Sequence, residues 1–199
     1  MKRLLIILVA TLMISETSFS VTYNSDPKIF VQELVDDAIK TLSDKSISVE
    51  EKNKIIKKIA LENVDIKALG MYTLGDRRKT LSPDNLEEYN KIFEKYFLKN
   101  LTSRLKDYTS NKFEVTNADQ KSSNYTIVNS KIAKSASQPE IKIDWRIYTK
   151  DVTKPLIRDL IVEGLSLAKT QREEFASILS SNNNDIKILF QKLEAFVLE

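Results

Sequence analysis

The spacing of apolar residues changes twice along the chain, and this change constrains the fold more than any other feature of the sequence. Up to about residue 105 apolar side chains recur at helical spacing, between about 113 and 162 they alternate with polar residues, and from about 165 helical spacing returns. A period of two indicates strands with one buried face. Strands that follow one another directly favour an antiparallel sheet. We therefore predict an α+β fold in which helices pack on a curled, antiparallel, four-stranded sheet.

The helical segments carry their own start signals. Asp26-Pro27 places a capping side chain before a proline, and Ser48 with Glu51 forms a capping box. Ser82-Pro83 opens a long helix with a stripe of apolar and aromatic side chains, which usually packs in a core. The stripe consists of Leu86, Tyr89, Ile92, Phe93, Tyr96, Phe97, Leu101, Leu105 and Tyr108.

The alternating pattern is clearest around Trp145, the single tryptophan of the chain. Ile141, Ile143, Trp145 and Ile147 alternate with charged residues, Tyr125 and Ile127 alternate in the preceding segment, and Leu156–Val162 is predicted as the fourth strand. A sheet curled over an aromatic helix would enclose either packed side chains or a cavity for an apolar ligand. Periodicity does not separate these two possibilities.

The chain begins with the pattern of a secretory signal peptide. Lys2 and Arg3 precede an apolar run over residues 4–14, and small residues that include Ser18 and Ser20 follow it. The run is about half as long as the roughly 20 residues that a membrane-spanning helix needs. We predict a signal peptide over residues 1–20 and one soluble domain over residues 21–199, which would work outside the cytoplasm.

Composition excludes most catalytic chemistry. The chain has no His and no Cys, and its three Gly form no phosphate-binding loop. Gly164-Leu165-Ser166 begins like a nucleophile elbow, but Ala168 stands at the fifth position and no His can activate the serine. The 31 basic and 28 acidic residues nearly balance, which argues against a nucleic-acid partner. We therefore expect no enzyme, no catalytic residue, no bound metal and no cofactor.

Two stretches resemble a known family. The first is Asp65-Ile66-Lys67-Ala68-Leu69-Gly70, which leads into Leu74-Gly75-Asp76-Arg77-Arg78. The second is Asp159-Leu160-Ile161-Val162-Glu163-Gly164-Leu165-Ser166-Leu167, followed by Arg172 and Phe175. Together with the order of elements, they resemble the MlaC family of toluene-tolerance or ABC-transporter auxiliary proteins over about residues 27–193. Family members usually carry Trp near Arg77 and Tyr at Gln171, so this sequence departs from them there.

The resemblance implies an NTF2-like fold that encloses an apolar pocket. It also implies a periplasmic carrier that takes one phospholipid as cargo. Such carriers shuttle lipid between an outer-membrane MlaA–porin complex and an inner-membrane ABC transporter with a membrane-anchored substrate-binding protein, and so maintain outer-membrane lipid asymmetry. A hopanoid-type cargo and a periplasmic interaction protein with a filled core are the alternatives.

The resemblance favours a cavity over a packed core, and we place it between the strand face of Trp145 and the aromatic helix. Gly164 is expected to provide the turn into the next helix and Ser166 to cap it. The last two helices, linked by Asn182-Asn183-Asn184, are expected to move when the pocket opens. The predicted lining residues are Tyr89, Phe93, Phe97, Tyr125, Ile127, Ile141, Ile143, Trp145, Ile147, Leu160, Val162 and Phe175.

Overall fold

The computed structural model describes residues 22–105, 112–134 and 139–199. The predicted signal peptide and Tyr108 lie outside the described residues. The helices are α1 (Pro27–Ser43), α2 (Val49–Asn63), α3 (Ile66–Thr73), α4 (Pro83–Leu105), α5 (Leu167–Ser180) and α6 (Ile186–Leu198), with a short 3-10 helix over Gly75–Lys79. The strands are β1 (Phe113–Ser122), β2 (Tyr125–Ile132), β3 (Ile141–Tyr148), β4 (Leu156–Val162) and β5 (Leu165–Ser166). Within the described ranges, no helix combines the length and the apolar character needed to cross a membrane.

The sheet is antiparallel throughout and its strands are ordered as they follow in the chain, β1-β2-β3-β4-β5. The predicted α+β class is confirmed, with one more strand than predicted. Glu163 and Gly164 both have a positive φ, at 49° and 81°, and turn the chain back on itself. Leu165 therefore pairs with Val162 before α5 begins. A two-residue strand is too short to show a period in the sequence.

The helices begin where the sequence signals placed them. The Asp26 carboxylate accepts hydrogen bonds from the backbone N–H groups of Lys28 and Ile29, and the Ser48 hydroxyl accepts one from Glu51. The Ser166 hydroxyl accepts the N–H of Lys169 and caps α5 as expected. These bonds satisfy N–H groups that a helix leaves without internal partners.

The described residues build two apolar clusters. In the helical cluster, α3, α4, α5 and α6 bury side chains against one another, including Tyr89, Phe93, Phe175 and Phe190. In the sheet cluster, α1 packs on one face of the sheet. The buried members of the sheet cluster are Phe30, Val31, Leu34, Val115, Val128, Trp145, Ile147 and Ile157. Val64, which follows α2, is partly buried against both clusters.

The two faces of the sheet therefore have different neighbours. The α1 face carries Val128 opposite Trp145, and Trp145 opposite Leu160. The other face carries Tyr125 opposite Tyr148, and it lies toward α3 and α5. We call this second side the groove face.

Candidate functional site: a groove between the helical layer and the sheet

A groove of about 400 Å³ lies between the groove face and the helices α3 and α5. The helices contribute small and apolar side chains to it, and the sheet contributes a phenol and two guanidinium groups. Its lining residues are Ala68, Leu69, Tyr72, Arg78, Tyr125, Arg146, Arg158 and Ala168. Leu69 also packs against the helical cluster, so this side chain connects the groove with that cluster.

A β-bulge in β4 directs Arg158 into this site. Arg146 pairs with Asp159, whereas the next residue, Ile147, pairs with Ile157, so Arg158 is an extra residue in the strand. A bulge places two residues of one strand opposite one residue of its partner and bends the strand locally. Arg158 and Asp159 therefore both contact the groove face, although neighbours in a regular strand point to opposite sides.

Arg158 ties the sheet to the helical layer. Its Nε and Nη2 atoms lie 2.8 and 2.7 Å from Oδ2 of Asp65, the residue that caps α3. Its Nη1 donates to the Tyr125 hydroxyl oxygen at 2.7 Å, and its guanidinium lies 3.4 Å from the ring centroid of Tyr148. Partial burial disfavours the cation, but the bonds to Tyr125 and Asp65 outweigh it and raise the pKa of Arg158. We call the Asp65–Arg158 pair the clasp.

Asp159 holds the start of α5. Its side chain is almost fully buried, and its two oxygens accept the Ser166 hydroxyl at 2.6 Å and the Ala168 N–H at 3.0 Å. An Arg146 nitrogen lies 3.6 Å from the same carboxylate. Asp159 thus has a structural role, and Glu163 accepts a hydrogen bond from the Lys142 N–H in the same region.

The structure brings together the predicted lining residues of the helices. Phe93 lies 5.6 Å from Tyr89, 6.4 Å from Phe97 and 6.3 Å from Phe175, measured between ring centroids. These rings fill the centre of the helical cluster, where Tyr89 and Phe175 are fully buried. Whether lipid tails reach them stays a prediction.

The predicted strand residues divide between the two faces. Ile143, Trp145, Ile147 and Leu160 belong to the sheet cluster, and the register puts Ile141 and Val162 on the same α1 face. Tyr125 and Ile127 pair with Tyr148 and Arg146 on the groove face, so the expectation that they share a face with Trp145 was wrong.

The reason for this error is the burial of small polar residues in β2. The residues of β2 that share a face with Trp145 are Thr126, Val128, Ser130 and Ile132, and all four are buried. Ser130 is satisfied there because its hydroxyl donates to the Ile143 carbonyl and accepts the Trp145 indole N–H, each at 2.8 Å. A prediction from hydrophobicity alone puts the larger, more apolar Tyr125 and Ile127 on the buried face instead.

The expected meeting of the Trp145 face with the aromatic helix α4 does not occur either. The strand face packs on α1, through Phe30, Val31 and Leu34, while the aromatic stripe of α4 packs on α3, α5 and α6. Both α1 and α4 have an apolar stripe, and the spacing of residues does not say which of them covers a given sheet face.

Of the eight residues that line the groove, Tyr125 alone was predicted as a lining residue. The sequence analysis missed Ala68, Leu69, Tyr72 and Ala168 on the helices, and the three arginines Arg78, Arg146 and Arg158. Arg146 is one of the polar residues that alternate with apolar residues in the predicted strand, and such residues normally face water. Arg158 depends on the bulge, which leaves no clear mark in the sequence.

The architecture is that of an α+β protein with helices packed on an open antiparallel sheet and a groove between the two layers. The chain belongs to the MlaC family, because the family model, described as MlaC protein, matches residues 32–195.

A phospholipid-binding protein from Ralstonia solanacearum, whose structure was solved in complex with a phospholipid, has a similar fold. The TM-score is 0.71 at 16% sequence identity, and the match covers 84% of this chain and 94% of that chain. No curated protein sequence matches the chain.

Proposed function

We propose that this protein is a periplasmic carrier that binds one phospholipid and moves it between the inner and outer membranes. The observation that carries the proposal is the groove between the helical layer and the sheet, in a chain that belongs to the MlaC family. The neighbour from Ralstonia solanacearum was solved with a phospholipid bound, which supports the same ligand class here.

The energetics of lipid transfer fit a carrier without catalytic groups. Each CH₂ of an acyl chain that is exposed to water costs about 0.8 kcal/mol, so a two-chain lipid does not cross an aqueous compartment quickly by itself. A carrier must offer apolar surface, and we expect the aromatic rings of the helical cluster to supply it once the tails enter. We infer that the protein is not an enzyme.

The groove must widen to take the tails. Its volume of about 400 Å³ lies near the low end of the roughly 300–1,000 Å³ of pockets for drug-sized ligands, and a diacyl lipid is larger than those ligands. We infer that the tails enter between the two apolar clusters, with Leu69 and Tyr72 of α3 as the first apolar side chains that they meet.

The partners in this proposal are those of the family. An MlaA–porin complex in the outer membrane would exchange lipid with the carrier, and so would the substrate-binding protein of an inner-membrane ABC transporter. The resulting flow of lipid would maintain outer-membrane asymmetry. In that case the N-terminal 20 residues act as a signal peptide and are removed.

Native mass spectrometry of the purified mature chain tests the proposal. We expect a species heavier than the protein by the mass of one diacyl phospholipid, and solvent extraction should release that lipid. Release of a polycyclic lipid instead would favour the hopanoid-type cargo. A homogeneous lipid-free protein that stays empty after incubation with phospholipid vesicles would show that the helical cluster is a filled core and the proposal is wrong.

A further inference from the structure

Three guanidinium groups surround the groove, and burying lipid tails does not require them. Arg78 comes from the 3-10 helix, Arg146 from β3 and Arg158 from β4. Two carboxylates, Asp65 and Asp159, pair with two of them, so the formal charge of these five side chains is +1. In the described part of the chain, the residues that line the groove include no aspartate or glutamate. This net positive charge favours an anionic ligand.

We propose that the groove binds the phosphate group of the carried lipid, through Arg78, Arg146 and the Tyr125 hydroxyl. The inference rests on the proposed function and deepens it, because it names the part of the lipid that this site contacts. A phosphodiester carries one negative charge on two oxygens that match the N–H fork of arginine, so binding can be bidentate.

Arg146 is placed to turn toward such a ligand. Its Nη1 atom lies 3.6 Å from Asp159 Oδ2, beyond the distance of a good hydrogen bond, and its side chain is 42% exposed. The Asp159 oxygens already accept bonds from Ser166 and Ala168, so this carboxylate stays satisfied when Arg146 moves.

Arg78 can contribute from the other side of the groove. It is exposed, and its Nη1 donates to the Met71 carbonyl at 3.1 Å. A guanidinium has five N–H donors, so a bond to Met71 leaves others for a ligand.

Tyr125 gains a donor role from the clasp. Its oxygen accepts a hydrogen bond from Arg158 at 2.7 Å, so its own O–H proton can be donated to a phosphate oxygen. Arg158 is in turn fixed by Asp65 and by the Tyr148 ring. Asp65 and Arg158 are therefore positioning residues, and Arg78, Arg146 and Tyr125 are the groups that contact the ligand.

The experiment compares two lipids with the same tails. The purified mature chain is loaded from octyl glucoside, a detergent without phosphate, with either dioleoyl phosphatidylglycerol or dioleoylglycerol, and bound lipid is counted by native mass spectrometry. Wild type should load the phosphatidylglycerol at least tenfold better. Arg78→Gln with Arg146→Gln should lower that loading about tenfold, because two charged hydrogen-bonding groups are lost, and should leave dioleoylglycerol loading unchanged.

Three variants keep this test free of folding effects. Arg104→Gln removes one arginine charge from the exposed surface of α4 and should change the loading of neither lipid. Arg146→Lys keeps a cation near the buried Asp159 and should recover part of the phosphatidylglycerol loading. Arg78→Gln alone changes an exposed side chain and should lower that loading severalfold.

The outcomes separate this inference from the proposed function. If wild type takes up neither lipid, the carrier function itself fails. If wild type and the arginine variants load both lipids equally, the carrier stands and the phosphate site is overturned. If inorganic phosphate raises the melting temperature through these arginines while wild type does not discriminate between the lipids, the groove binds free phosphate and the headgroup assignment is overturned.

Discussion

Tyr89 is the best example of a polar group held inside an apolar cluster. Its side chain is fully buried, and its hydroxyl lies 2.8 Å from the Thr73 hydroxyl, which itself donates to the Gly70 carbonyl. Since the Thr73 proton is used in that bond, Tyr89 is the donor to Thr73. Burial raises the pKa of Tyr89, because the phenolate would lose its hydration without gaining a cation.

This raised pKa predicts a loss of stability in alkali. Below about pH 10, the pKa of a tyrosine in the unfolded chain, both states keep the proton and the stabilisation is complete. Above it only the unfolded chain releases the proton, so this one group should lower the free energy of unfolding by about 1.4 kcal/mol for each further pH unit. Urea titrations of wild type and Tyr89→Phe between pH 8 and pH 11 measure the effect. At pH 8 the free energy of unfolding of the variant should be about 1 kcal/mol lower than that of wild type, and it should decrease less steeply as the pH rises. A difference in free energy of unfolding between wild type and variant that stays constant from pH 8 to pH 11 would contradict the prediction.

At the scale of single residues, the sequence predicted burial well where a regular period held. Tyr89, Phe93 and Phe175 are all buried as the helical stripes indicate. It did not predict the role of Arg158, because the bulge that aims this side chain depends on how β4 pairs with β3. Nor did it predict the burial of Ser130, whose polar atoms are satisfied by long-range bonds to β3.

At the scale of elements, Gly70 sets how closely α3 approaches α4. A Cβ atom at this position would lie 2.8 Å from Cδ1 of Phe93, closer than such atoms approach in real structures. Alanine normally stabilises a helix interior relative to glycine by up to about 1 kcal/mol. Here it would force the Phe93 ring or the whole helix to shift.

Gly70→Ala should therefore destabilise the protein by about 1–3 kcal/mol despite its better helix propensity. The double variant with Gly70→Ala and Phe93→Leu should lose less stability than the sum of the losses in the two single variants, because the smaller side chain makes room for the methyl group. Thermal unfolding followed by circular dichroism checks both. A Gly70→Ala variant as stable as wild type would mean that α3 and α4 are not fixed by this contact.

The order and type of the elements were predictable, because capping residues and changes of period are local signals. The additional strand β5 was not, since two residues carry no period and its pairing depends on the positive φ angles of Glu163 and Gly164. The partner of each sheet face was not predictable either. α1 and α4 have similar stripes, and the packing of whole layers decides between them.

At the scale of the whole molecule, the proposed carrier must open at some point to admit a lipid. Moving α6 away from α4 would expose Ile186, Leu189, Phe190 and Leu193, which are all buried. At about 1.5–3 kcal/mol for each side chain, this would cost roughly 6–12 kcal/mol, comparable to the entire stability of a domain. Separating the helical layer from the sheet would instead start from a groove that already lies between them. We therefore expect opening at the groove, where α3 and α5 face the sheet, and the motion of the last two helices stays a prediction.

The clasp between Asp65 and Arg158 should then limit the rate of lipid exchange, because it joins the two layers beside the groove. Asp65→Ser keeps a hydroxyl that can cap α3 and removes the ion pair. We expect this variant to transfer a fluorescent phospholipid between vesicles severalfold faster than wild type, and to unfold with a free energy lower by about 1–3 kcal/mol.

A second variant separates the clasp from the charge of the groove. Asp65→Ser also leaves Arg158 without its carboxylate, and attraction between this cation and the lipid phosphate offsets part of the gain in rate. Asp65→Ser with Arg158→Met removes both charges, so it should show the faster transfer without that effect. Glu87→Ser, which breaks an exposed ion pair with Lys91 on α4, serves as the control and should transfer lipid at the wild-type rate. If both clasp variants lose stability but keep the wild-type transfer rate, the molecule opens elsewhere, and the α5–α6 pair becomes the next element to test.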